Sequence, residues 1–555
     1  MVNCVKETAS MLAEALTAYG IKDIFSSPGT RNAPLILALV RNGCFNIRPV
    51  VDERSAAFIA LGFASVARTP VALVCTSGTA LLNYAPAVAE AFYRKIPLVV
   101  ISADRPAEWI GQDDSQTLPQ PGALGHIVRR TVNLRGEIDN DRDRWLVNRS
   151  LNEVLQVALN GRPGPVHINI SFDEPLTADG FLDTRGGFRK VDLITPMPKI
   201  DTESARQLAA EASEHRVLIV GGFTPPSAYL NRAIGKLANL PGVVVMADAL
   251  ANINSPDVLS RPDLILDDAA LLSDAGRPSL LITFGGSLLS RKLKEYLRAT
   301  EFADHWHVGL NESLIDSYFS LTRRIEIAED MFFPRFANAM EYLARKACTS
   351  TSGYKEIWRD AKLRAESTLR KPATTDRWSA RTAVHTLLAT LPADWNLQLS
   401  NGLTPRYAVT GDAVRFHRRD CNRGVSGIDG SVSTALGASL AYRNTTLLIT
   451  GDMSLQYDMA ALSSTLLTPK LKIVVINNRG GGIFRKISAT CHLPEREHYF
   501  VCELNVHVKE LSRAYGLDYY SADSTDSLHE VLTRFAESND RPAILELFCP
   551  PHTNE

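Results

Sequence analysis

Residues 446–482 read TLLITGDMSLQYDMAALSSTLLTPKLKIVVINNRGGG, and this stretch decides the fold. The runs from Thr446 to Thr450 and from Lys472 to Ile476 are short, apolar and rich in β-branched residues, as is typical of buried parallel strands. Between them, apolar residues recur from Leu455 to Leu466 at spacings of four, three and four, which predicts a helix from about residue 455 to 467. Strand, helix and strand form a βαβ unit.

Polar residues and glycines follow both strands of this unit. Gly451 and Asp452 end the first strand, and Asn477 and Asn478 end the second. Carboxyl ends of neighbouring parallel strands meet at one edge of the sheet, where open α/β folds bind ligands. Asp452 and Asn478 offer the hard oxygen ligands that Mg²⁺ prefers, and a backbone carbonyl of the glycines at 480–482 adds a third. Strand-end Asp and Asn also serve as ordinary turn residues, but the complete array favours a site for metal and diphosphate.

The same alternation of strands and helices extends over most of the chain. The length of 555 residues favours about three domains. A βαβ unit is predicted from Val71 to Ser102, and a second α/β block begins at Val217. Turn-forming residues predict a linker at 187–201, and the polar residues 348–376 predict a second segment crossing between domains. We therefore predict three doubly wound parallel-sheet domains of the α/β class, at residues 1–187, 200–347 and 376–555.

Composition narrows the class of protein. The 60 Lys and Arg residues balance 61 Asp and Glu residues, so a nucleic-acid partner is not expected. The eight cysteines are scattered without a CxxC pair or a metal-binding cluster, which favours a reducing, cytoplasmic location. The amino-terminal residues show helical spacing and not the pattern of a signal peptide, and no long uncharged apolar run predicts a membrane span.

The array GDMS followed by NNRGG resembles the metal-diphosphate motif of thiamin-diphosphate-dependent enzymes. That motif begins with Gly-Asp-Gly, so Met453 is a departure. The resemblance implies thiamin diphosphate as cofactor, with Mg²⁺ or Mn²⁺ held by Asp452, Asn478 and the carbonyl of Gly480. It also implies a pyrimidine-binding domain, a central domain without cofactor and a diphosphate-binding domain, in that order.

Such an enzyme needs a carboxylate beside the aminopyrimidine ring of the cofactor, because protonation of the ring prepares its amino group to remove the thiazolium proton. Glu53, in VVDERSAAFIALGFA (50–64), follows a short strand at the start of a helix rich in small residues. An acidic residue there also interacts favourably with the helix dipole. Paired with the distant metal motif, Glu53 is the best catalytic candidate in the chain.

Several segments resemble one family within these enzymes, the synthases of menaquinone biosynthesis. They are SSPGTRNAPL (26–35), DERSAAFIALGFA (52–64), TSGTALLNYAPAVAEA (76–91), SADRP (102–106), NRGVSGIDGSVSTALG (422–437) and NNRGGGIF (477–484). This family of transferases decarboxylates 2-oxoglutarate and adds the resulting succinyl carbanion equivalent to isochorismate. The matches cover the first and third blocks, whereas the middle block matches weakly. The resemblance also implies a homodimer or homotetramer in which Glu53 of one subunit faces the Asp452 site of another.

Two dicarboxylate substrates require arginines, which bind carboxylates in a bidentate manner. Arg31, Arg105, Arg406 and Arg423 lie in resembling segments, each predicted on a turn at a strand end, although an isolated surface arginine is often merely solvated. The full set predicted to bind substrate is Thr30, Arg31, Arg105, Gln116, Arg291, Lys292, Asn401, Arg406 and Arg423. The family has Lys then Arg in place of Arg291-Lys292, and Ser in place of Gly402.

The resemblance also assigns residues to the cofactor. Ile428 matches the apolar residue that holds thiamin diphosphate in its bent form, although a buried core isoleucine is an equally good interpretation. Ile483 and Phe484 line the thiazolium pocket or simply begin a helix. The predicted cofactor-binding residues are Gly451, Asp452, Met453, Ser454, Asn477, Asn478, Gly480, Gly481, Ile428, Ser426, Ile483 and Phe484.

Three alternatives stay open at the level of the sequence. Another thiamin-diphosphate-dependent 2-oxoacid decarboxylase or carboligase would act on smaller acids and need fewer arginines. A nicotinamide-dependent dehydrogenase is disfavoured because no G-x-G-x-x-G follows a strand. A regulatory protein that keeps the fold without catalysis agrees with Met453 but not with retention of Glu53, Asp452 and Asn478.

Overall fold

The computed structural model describes residues 6–177, 187–311, 313–346, 353–370 and 377–551. Within these residues the strands form three separate sheets, and every strand pair in them is parallel. Helices pack on the sheets, which confirms the predicted α/β class. No helix in the described ranges combines the length and the apolar character that a membrane crossing requires.

The first domain contains a six-stranded sheet. Its strands are β1 (Asp23–Ser26), β2 (Asn46–Pro49), β3 (Val71–Cys75), β4 (Leu98–Asp104), β5 (Thr131–Arg135) and β6 (Val166–Ser171). Its helices are α1 (Glu7–Ala18), α2 (Ala33–Asn42), α3 (Glu53–Ala67), α4 (Thr79–Asn83), α5 (Ala85–Arg94) and α6 (Asp141–Leu159). The strand order is β2-β1-β3-β4-β6-β5. Leu73 and Cys75 enter one hydrophobic core and Ala72 and Val74 another, so helices cover both faces of the sheet.

The central domain contains a five-stranded sheet. Its strands are β7 (Val217–Gly221), β8 (Val243–Ala247), β9 (Leu280–Phe284), β10 (Asp304–Val308) and β11 (Arg323–Ile325), in the order β11-β10-β9-β7-β8. Its helices are α7 (Thr202–Ser213), α8 (Ala228–Asn239), α9 (Pro262–Ile265), α10 (Arg291–Ala299), α11 (Glu329–Lys346) and α12 (Tyr354–Arg370).

The third domain repeats the topology of the first. Its strands are β12 (Asn396–Leu399), β13 (Arg418–Cys421), β14 (Thr446–Gly451), β15 (Leu471–Asn477), β16 (Asp518–Ala522) and β17 (Ala543–Phe548). Its helices are α13 (Ala380–Thr390), α14 (Thr404–Thr410), α15 (Ser431–Ala441), α16 (Asp452–Tyr457), α17 (Val508–Tyr515) and α18 (Thr525–Glu537). The order β13-β12-β14-β15-β17-β16 places β12 and β14 side by side, as β1 and β3 are in the first sheet. Strand order reverses at these two pairs, which marks the ligand-binding edge of each sheet.

Helices α3 and α15 join the first and third domains through one hydrophobic core. Their backbones approach so closely that only glycine fits at the crossing. A Cβ atom at Gly62 would lie 2.0 Å from the carbonyl oxygen of Thr434, and one at Gly437 would lie 1.9 Å from that of Ile59. The many small residues of α3 therefore serve helix packing.

One sequence-based expectation was wrong in detail. The helix predicted at 455–467 is instead α16 followed by a 3₁₀ helix, Met459–Ser463, because the buried Asp458 interrupts it. The described part of the predicted crossing segment, residues 353–370, contains α12, which packs on the central domain. Trp358 is buried there and donates a hydrogen bond to the carbonyl of Gly276 at 2.9 Å.

Candidate active site

The ends of β14 and β15 lie together at the edge of the third sheet. Asp452 begins α16 with only 1% of its surface exposed. Its carboxylate accepts hydrogen bonds from the backbone N–H groups of Met453 and Gly480, each at 2.8 Å. The carboxylate thus ties the Gly-Asp turn to the glycines that follow β15, although 28 residues separate Asp452 from Gly480.

The electrostatics of Asp452 suit a cation. Burial raises the pKa of this carboxyl to about 6, although the N–H groups of Gly480 and Met453 lower it. A divalent metal would offset the cost of keeping the buried carboxylate ionised. The amide of Asn478 and the carbonyl of Gly480 lie on the same turn, so the oxygen donors of a magnesium site are present.

Glycines open this edge to a ligand. A Cβ atom at Gly451 would meet nothing within 4 Å, so there is free space beside the turn. Gly480 has a φ of +116°, and its Cβ would lie 2.6 Å from the carbonyl oxygen of Val501. The turn therefore needs glycine both for its backbone conformation and for its close approach to the residues behind it.

A strap at residues 496–501 holds the glycine turn from behind. The strap is a single π-helical turn, Arg496–Val501, and its Val501 carbonyl accepts the N–H of Gly481 at 2.8 Å. Arg485 donates to both oxygens of Glu497, with distances of 3.1 and 3.3 Å from Nε and 2.9 Å from Nη2. The predicted residues Ile483 and Phe484 lie in the short 3₁₀ helix Gly482–Arg485 between turn and strap.

The predicted residues Asn401, Arg423 and Ser426 lie together beside the end of β12. The amide nitrogen of Asn401 donates to the carbonyls of Asn422 at 2.7 Å and Gly427 at 2.6 Å. Its amide oxygen accepts a hydrogen bond from Nη1 of Arg423 at 3.0 Å. Ser426 is exposed with a φ of +71°, and Ile428 follows it, half-buried. Asn401 thus fixes the loop at residues 422–427.

Glu53 lies at the corresponding edge of the first sheet. It occupies the first turn of α3, directly after Asp52, whose carboxylate caps the helix by accepting the N–H of Ser55 at 2.7 Å. Glu53 itself is half-buried. Burial is the main cause of the raised pKa of the Cys75 thiol, and the negative charge of Glu53 raises it further. The Glu53 carboxylate therefore lies near the end of β3.

Arginines flank the same edge of the first sheet. Arg31, only 8% exposed, donates to the carbonyl of Phe172 at 3.1 Å and pairs with Glu174 at 3.2 Å. Arg105 pairs with Asp114 at 2.5 Å. Burial raises the pKa of the Asp104 carboxyl, which accepts the Asn169 amide and the backbone N–H of Arg105, each at 2.8 Å.

Gln116 and Thr30 are both exposed, and they lie on turns near this edge. Gln116 has a φ of +55°. A Cβ atom added at Gly78 would lie 3.4 Å from the backbone of Gln116. The loop that carries Gln116 therefore packs against the turn after β3.

Three predicted substrate residues depart from expectation. Arg406 lies within α14, not on a turn, and is exposed. Arg291 and Lys292 are exposed on α10 and pair with Glu295 and Asp267, each at 2.6 Å. The substrate-binding roles of these three side chains stay a prediction.

Lys294 is a cation that the sequence analysis missed. Burial lowers the pKa of its amine, and the next largest cause is the positive charge of Arg423. Lys294 lies three residues after Arg291, about one turn further along α10, so the two side chains are on the same side of the helix. This helical spacing could have indicated Lys294 from the sequence.

Several buried polar atoms at these two sheet edges have no hydrogen-bond partner in the described ranges. They are Thr76 Oγ1, Ser77 Oγ, Ser400 Oγ, Asn422 Oδ1, Arg105 Nε and Arg423 Nε. Buried polar groups are normally paired, and the five of these atoms that can donate a hydrogen bond suit a ligand with phosphate or carboxylate groups, whereas Asn422 Oδ1 only accepts. Four of these residues were not predicted from the sequence: Thr76, Ser77, Ser400 and Asn422. Each is the first or second residue after a strand, and that position is the signal that could have identified them.

Three family profiles match successive parts of the chain. Residues 6–123 match the profile described as the N-terminal TPP binding domain of thiamine pyrophosphate enzymes, another name for thiamin diphosphate enzymes. Residues 197–397 match the middle domain of such proteins, and residues 411–547 match the C-terminal TPP binding domain.

Curated relatives match along nearly the whole chain. A protein of Porphyromonas gingivalis is 40% identical, with 99% of this chain and 95% of the relative covered. A protein of Flavobacterium johnsoniae is 33% identical over 99% and 97%, and one of Desulfotalea psychrophila is 34% identical over 98% and 99%. All three are named 2-succinyl-5-enolpyruvyl-6-hydroxy-3-cyclohexene-1-carboxylate synthase. The chain therefore belongs to this synthase family of thiamin-diphosphate-dependent enzymes.

Proposed function

We propose that the chain decarboxylates 2-oxoglutarate and joins the remaining four-carbon unit to isochorismate, giving 2-succinyl-5-enolpyruvyl-6-hydroxy-3-cyclohexene-1-carboxylate for menaquinone biosynthesis. The observation that carries the proposal is the presence of buried, unpartnered guanidinium nitrogens of Arg105 and Arg423 at the same sheet edges as Glu53 and Asp452. Two dicarboxylates are the substrates that such donors suit.

Asp452, Asn478 and the carbonyl of Gly480 would hold the metal ion, Mg²⁺ or Mn²⁺, against the cofactor diphosphate. When bound, thiamin diphosphate supplies the carbanion-stabilising centre for decarboxylation and carbon–carbon bond formation. Glu53 holds a proton at the aminopyrimidine ring. Gly451 leaves room for the diphosphate, since a Cβ there would meet no other atom within 4 Å.

The remaining cofactor assignments follow the same edge of the third sheet. Met453 and Ser454 lie in the first turn of α16, next to the free space at Gly451. Asn477 is held by Glu546, whose carboxylate accepts its amide N–H at 2.7 Å. Ile428 supports the bent cofactor from the loop that follows Arg423.

The substrate carboxylates are assigned to the arginines. Arg31 and Arg105 act from the first domain, with Thr30 and Gln116 as polar neighbours. Arg423, oriented by Asn401, acts from the third domain. The positive charges assigned to the site would disfavour cationic acceptors.

The active site is proposed to form between subunits of a homodimer or homotetramer. Among the described residues no hydrogen bond or ion pair joins the predicted site residues of the first domain to those of the third. A second copy would bring Glu53 of one subunit to the metal edge of the other.

We also propose a cytoplasmic location. Among the described cysteines, Cys44, Cys75, Cys421, Cys491 and Cys502 are free thiols, as suits a reducing compartment. The domain boundaries at 1–187, 200–347 and 376–555 stay a prediction.

The test is a product assay with purified protein, thiamin diphosphate and Mg²⁺. We expect isochorismate to disappear only when 2-oxoglutarate is present, and mass spectrometry to detect the joined product. If CO₂ is released from 2-oxoglutarate at the same rate without isochorismate, and no joined product forms, the chain is a 2-oxoacid decarboxylase instead.

A further inference from the structure

The loop at residues 422–427, which carries Arg423, is held by contacts from all three domains. Asn401 of the third domain bonds both of its ends. From the central domain, the Ser287 hydroxyl donates to the carbonyl of Arg423 at 3.4 Å. The first domain contributes Glu90, which lies on α5.

Glu90 makes the most complete of these contacts. Its side chain is buried, with 2% of the residue exposed, and both carboxylate oxygens are used. Oε1 accepts the backbone N–H of Gly424 at 2.8 Å, and Oε2 accepts that of Val425 at 2.7 Å. A Cβ at Gly424 would lie 2.7 Å from the carbonyl oxygen of Glu90, so glycine lets the loop rest against the helix.

The buried charge of Glu90 is balanced locally. Arg94, one helical turn away, lies 3.9 Å from its carboxylate and also bonds the Ser65 hydroxyl at 2.9 Å. Asp420 accepts from Arg94 at 3.4 Å and from Arg418 at 2.6 Å. A carboxylate that is paired and fully hydrogen-bonded tolerates burial, and its bonds to two successive N–H groups are stronger than those of a neutral acceptor.

We propose that Glu90 is a positioning residue for substrate binding: by fixing the N–H groups of Gly424 and Val425 it holds the loop in the conformation that presents Arg423 to a substrate carboxylate. This proposal rests on the substrate role proposed for Arg423. Glu90 bonds the loop backbone and not the guanidinium, whose Nη1 is directed by Asn401 and whose buried Nε has no hydrogen-bond partner among the described residues.

The first test is a kinetic cycle with Glu90→Gln. The amide oxygen of glutamine accepts one N–H, but its NH₂ group opposes the other, so the loop loosens without loss of volume. We expect the KM of one substrate to rise about tenfold, with kcat within about twofold of the wild type. Arg423→Ala should raise the KM of that same substrate, and the double variant should be no worse than Arg423→Ala alone.

Ser65→Ala is the matched control. It removes a hydrogen-bond acceptor of Arg94 at the same domain contact without touching the loop. We expect both KM values to stay at the wild-type level. Additive effects of Glu90→Gln and Arg423→Ala, or a KM change in Ser65→Ala equal to that in Glu90→Gln, would overturn the proposal.

The second test does not depend on catalysis. In hydrogen exchange of the full-length protein, the amides of Gly424 and Val425 should exchange at least about tenfold faster in Glu90→Gln, and not in Ser65→Ala. Unchanged protection overturns the positioning role, whatever the activity. If instead the wild-type protein makes no joined product while exchange responds as expected, the proposed function fails and the contact of Glu90 with the loop stands.

Discussion

Glu53 and Asp452 are two carboxylates whose surroundings suit them to different tasks. Asp452 is buried, and both of its oxygens accept backbone N–H groups. Glu53 is half-buried near Cys75, and no side-chain hydrogen bond within the described ranges ties down its carboxylate. The Asp452 carboxylate is held as an acceptor by two N–H groups, whereas the Glu53 carboxylate is left for a ligand to engage.

We therefore predict that Glu53→Gln lowers kcat at least about a hundredfold, because the proton at the aminopyrimidine ring is lost. Thiamin diphosphate affinity, measured by fluorescence titration, should stay within a fewfold of the wild type. Glu203→Gln is the matched control, because Glu203 also lies in the first turn of a helix, α7, but on the surface of the central domain. Full turnover by Glu53→Gln would show that Glu53 only stabilises its helix.

Asp458 gives a pH dependence to stability. It is fully buried and accepts the N–H of Ser433 at 2.7 Å and its hydroxyl at 2.9 Å, and burial raises its pKa to about 7. The folded state thus holds this proton more tightly than the unfolded state does. The resulting stabilisation is complete below the ordinary carboxyl pKa and is lost as the pH rises through about 7.

The measurement is the melting temperature of the wild type and of Asp458→Asn from pH 5 to 8. Asparagine does not titrate, so the Tm of the wild type should fall by a few degrees relative to the variant as the pH rises. Asp201→Asn serves as the control, because hydrogen bonds from Ser204 lower the pKa of Asp201 and its contribution is constant over this range. A constant difference between wild type and Asp458→Asn would contradict the prediction.

At the scale of single elements, the strap at residues 496–501 determines the shape of the glycine turn. Arg485 lowers the pKa of Glu497 to about 2, so this ion pair persists over the whole physiological range. We predict that Glu497→Gln weakens thiamin diphosphate binding several-fold but leaves kcat at saturating cofactor unchanged. The substitution removes the ion pair with Arg485 that supports the glycine turn, but it removes none of the groups on that turn that would contact the cofactor. Titration of the cofactor against initial rate measures both quantities.

Glu495→Gln is the control for the strap, since Glu495 lies next to the strap and its side chain is exposed. It should bind the cofactor as the wild type does. Equal cofactor affinity in Glu497→Gln and the wild type would mean that the glycine turn keeps its shape without the strap.

The crossing of α3 and α15 sets a second limit on the sequence. Gly437→Ala puts a methyl group 1.9 Å from a carbonyl oxygen, so the helices must separate. We expect a loss of stability of about 1–3 kcal/mol and a lower Tm in calorimetry. In Gly235→Ala, on α8, the methyl group meets only the Ser255 side chain at 3.0 Å, so its Tm should change little. A Tm for Gly437→Ala equal to that of the wild type would contradict this packing.

At the scale of the whole molecule, the predicted site residues fall on two domains of the same topology. The first and third sheets share one strand order, and each brings polar residues to the carboxyl edge at the reversal of that order. If a second copy completes the site, as proposed above, it would supply partners for the buried polar atoms at each edge that no described residue of the chain satisfies.

Subunit mixing tests this arrangement. Glu53→Gln and Asp452→Ala should each be inactive alone, but refolding them together should restore about a quarter of wild-type activity. In random mixing half of the dimers are mixed, and each of these has one intact site. The control mixes Glu53→Gln with the double variant Glu53→Gln/Asp452→Ala. Every subunit in that mixture lacks Glu53, so it should stay inactive. No recovery in the first mixture would mean that each chain builds its own site.

Much of the candidate site was predictable because its signals are local. Apolar β-branched runs followed by Gly-Asp or Asn-Asn identify strand ends, and the resemblance identified the cofactor class that the comparisons then confirmed. The helix predicted at 455–467 was wrong because periodicity does not reveal a buried carboxylate such as Asp458. Arg406 was misplaced because a strand end and a helix start are alike in sequence.

The sequence by itself determined the strands, the turn chemistry and the family, since these depend on residues close together along the chain. Only the tertiary structure decided which distant groups meet. Glu90 bonds a loop 334 residues away, and Gly62 is required by a helix from another domain. Such contacts depend on how whole domains dock, and the burial that results sets the pKa of Asp452 and Asp458, which no local pattern of residues encodes.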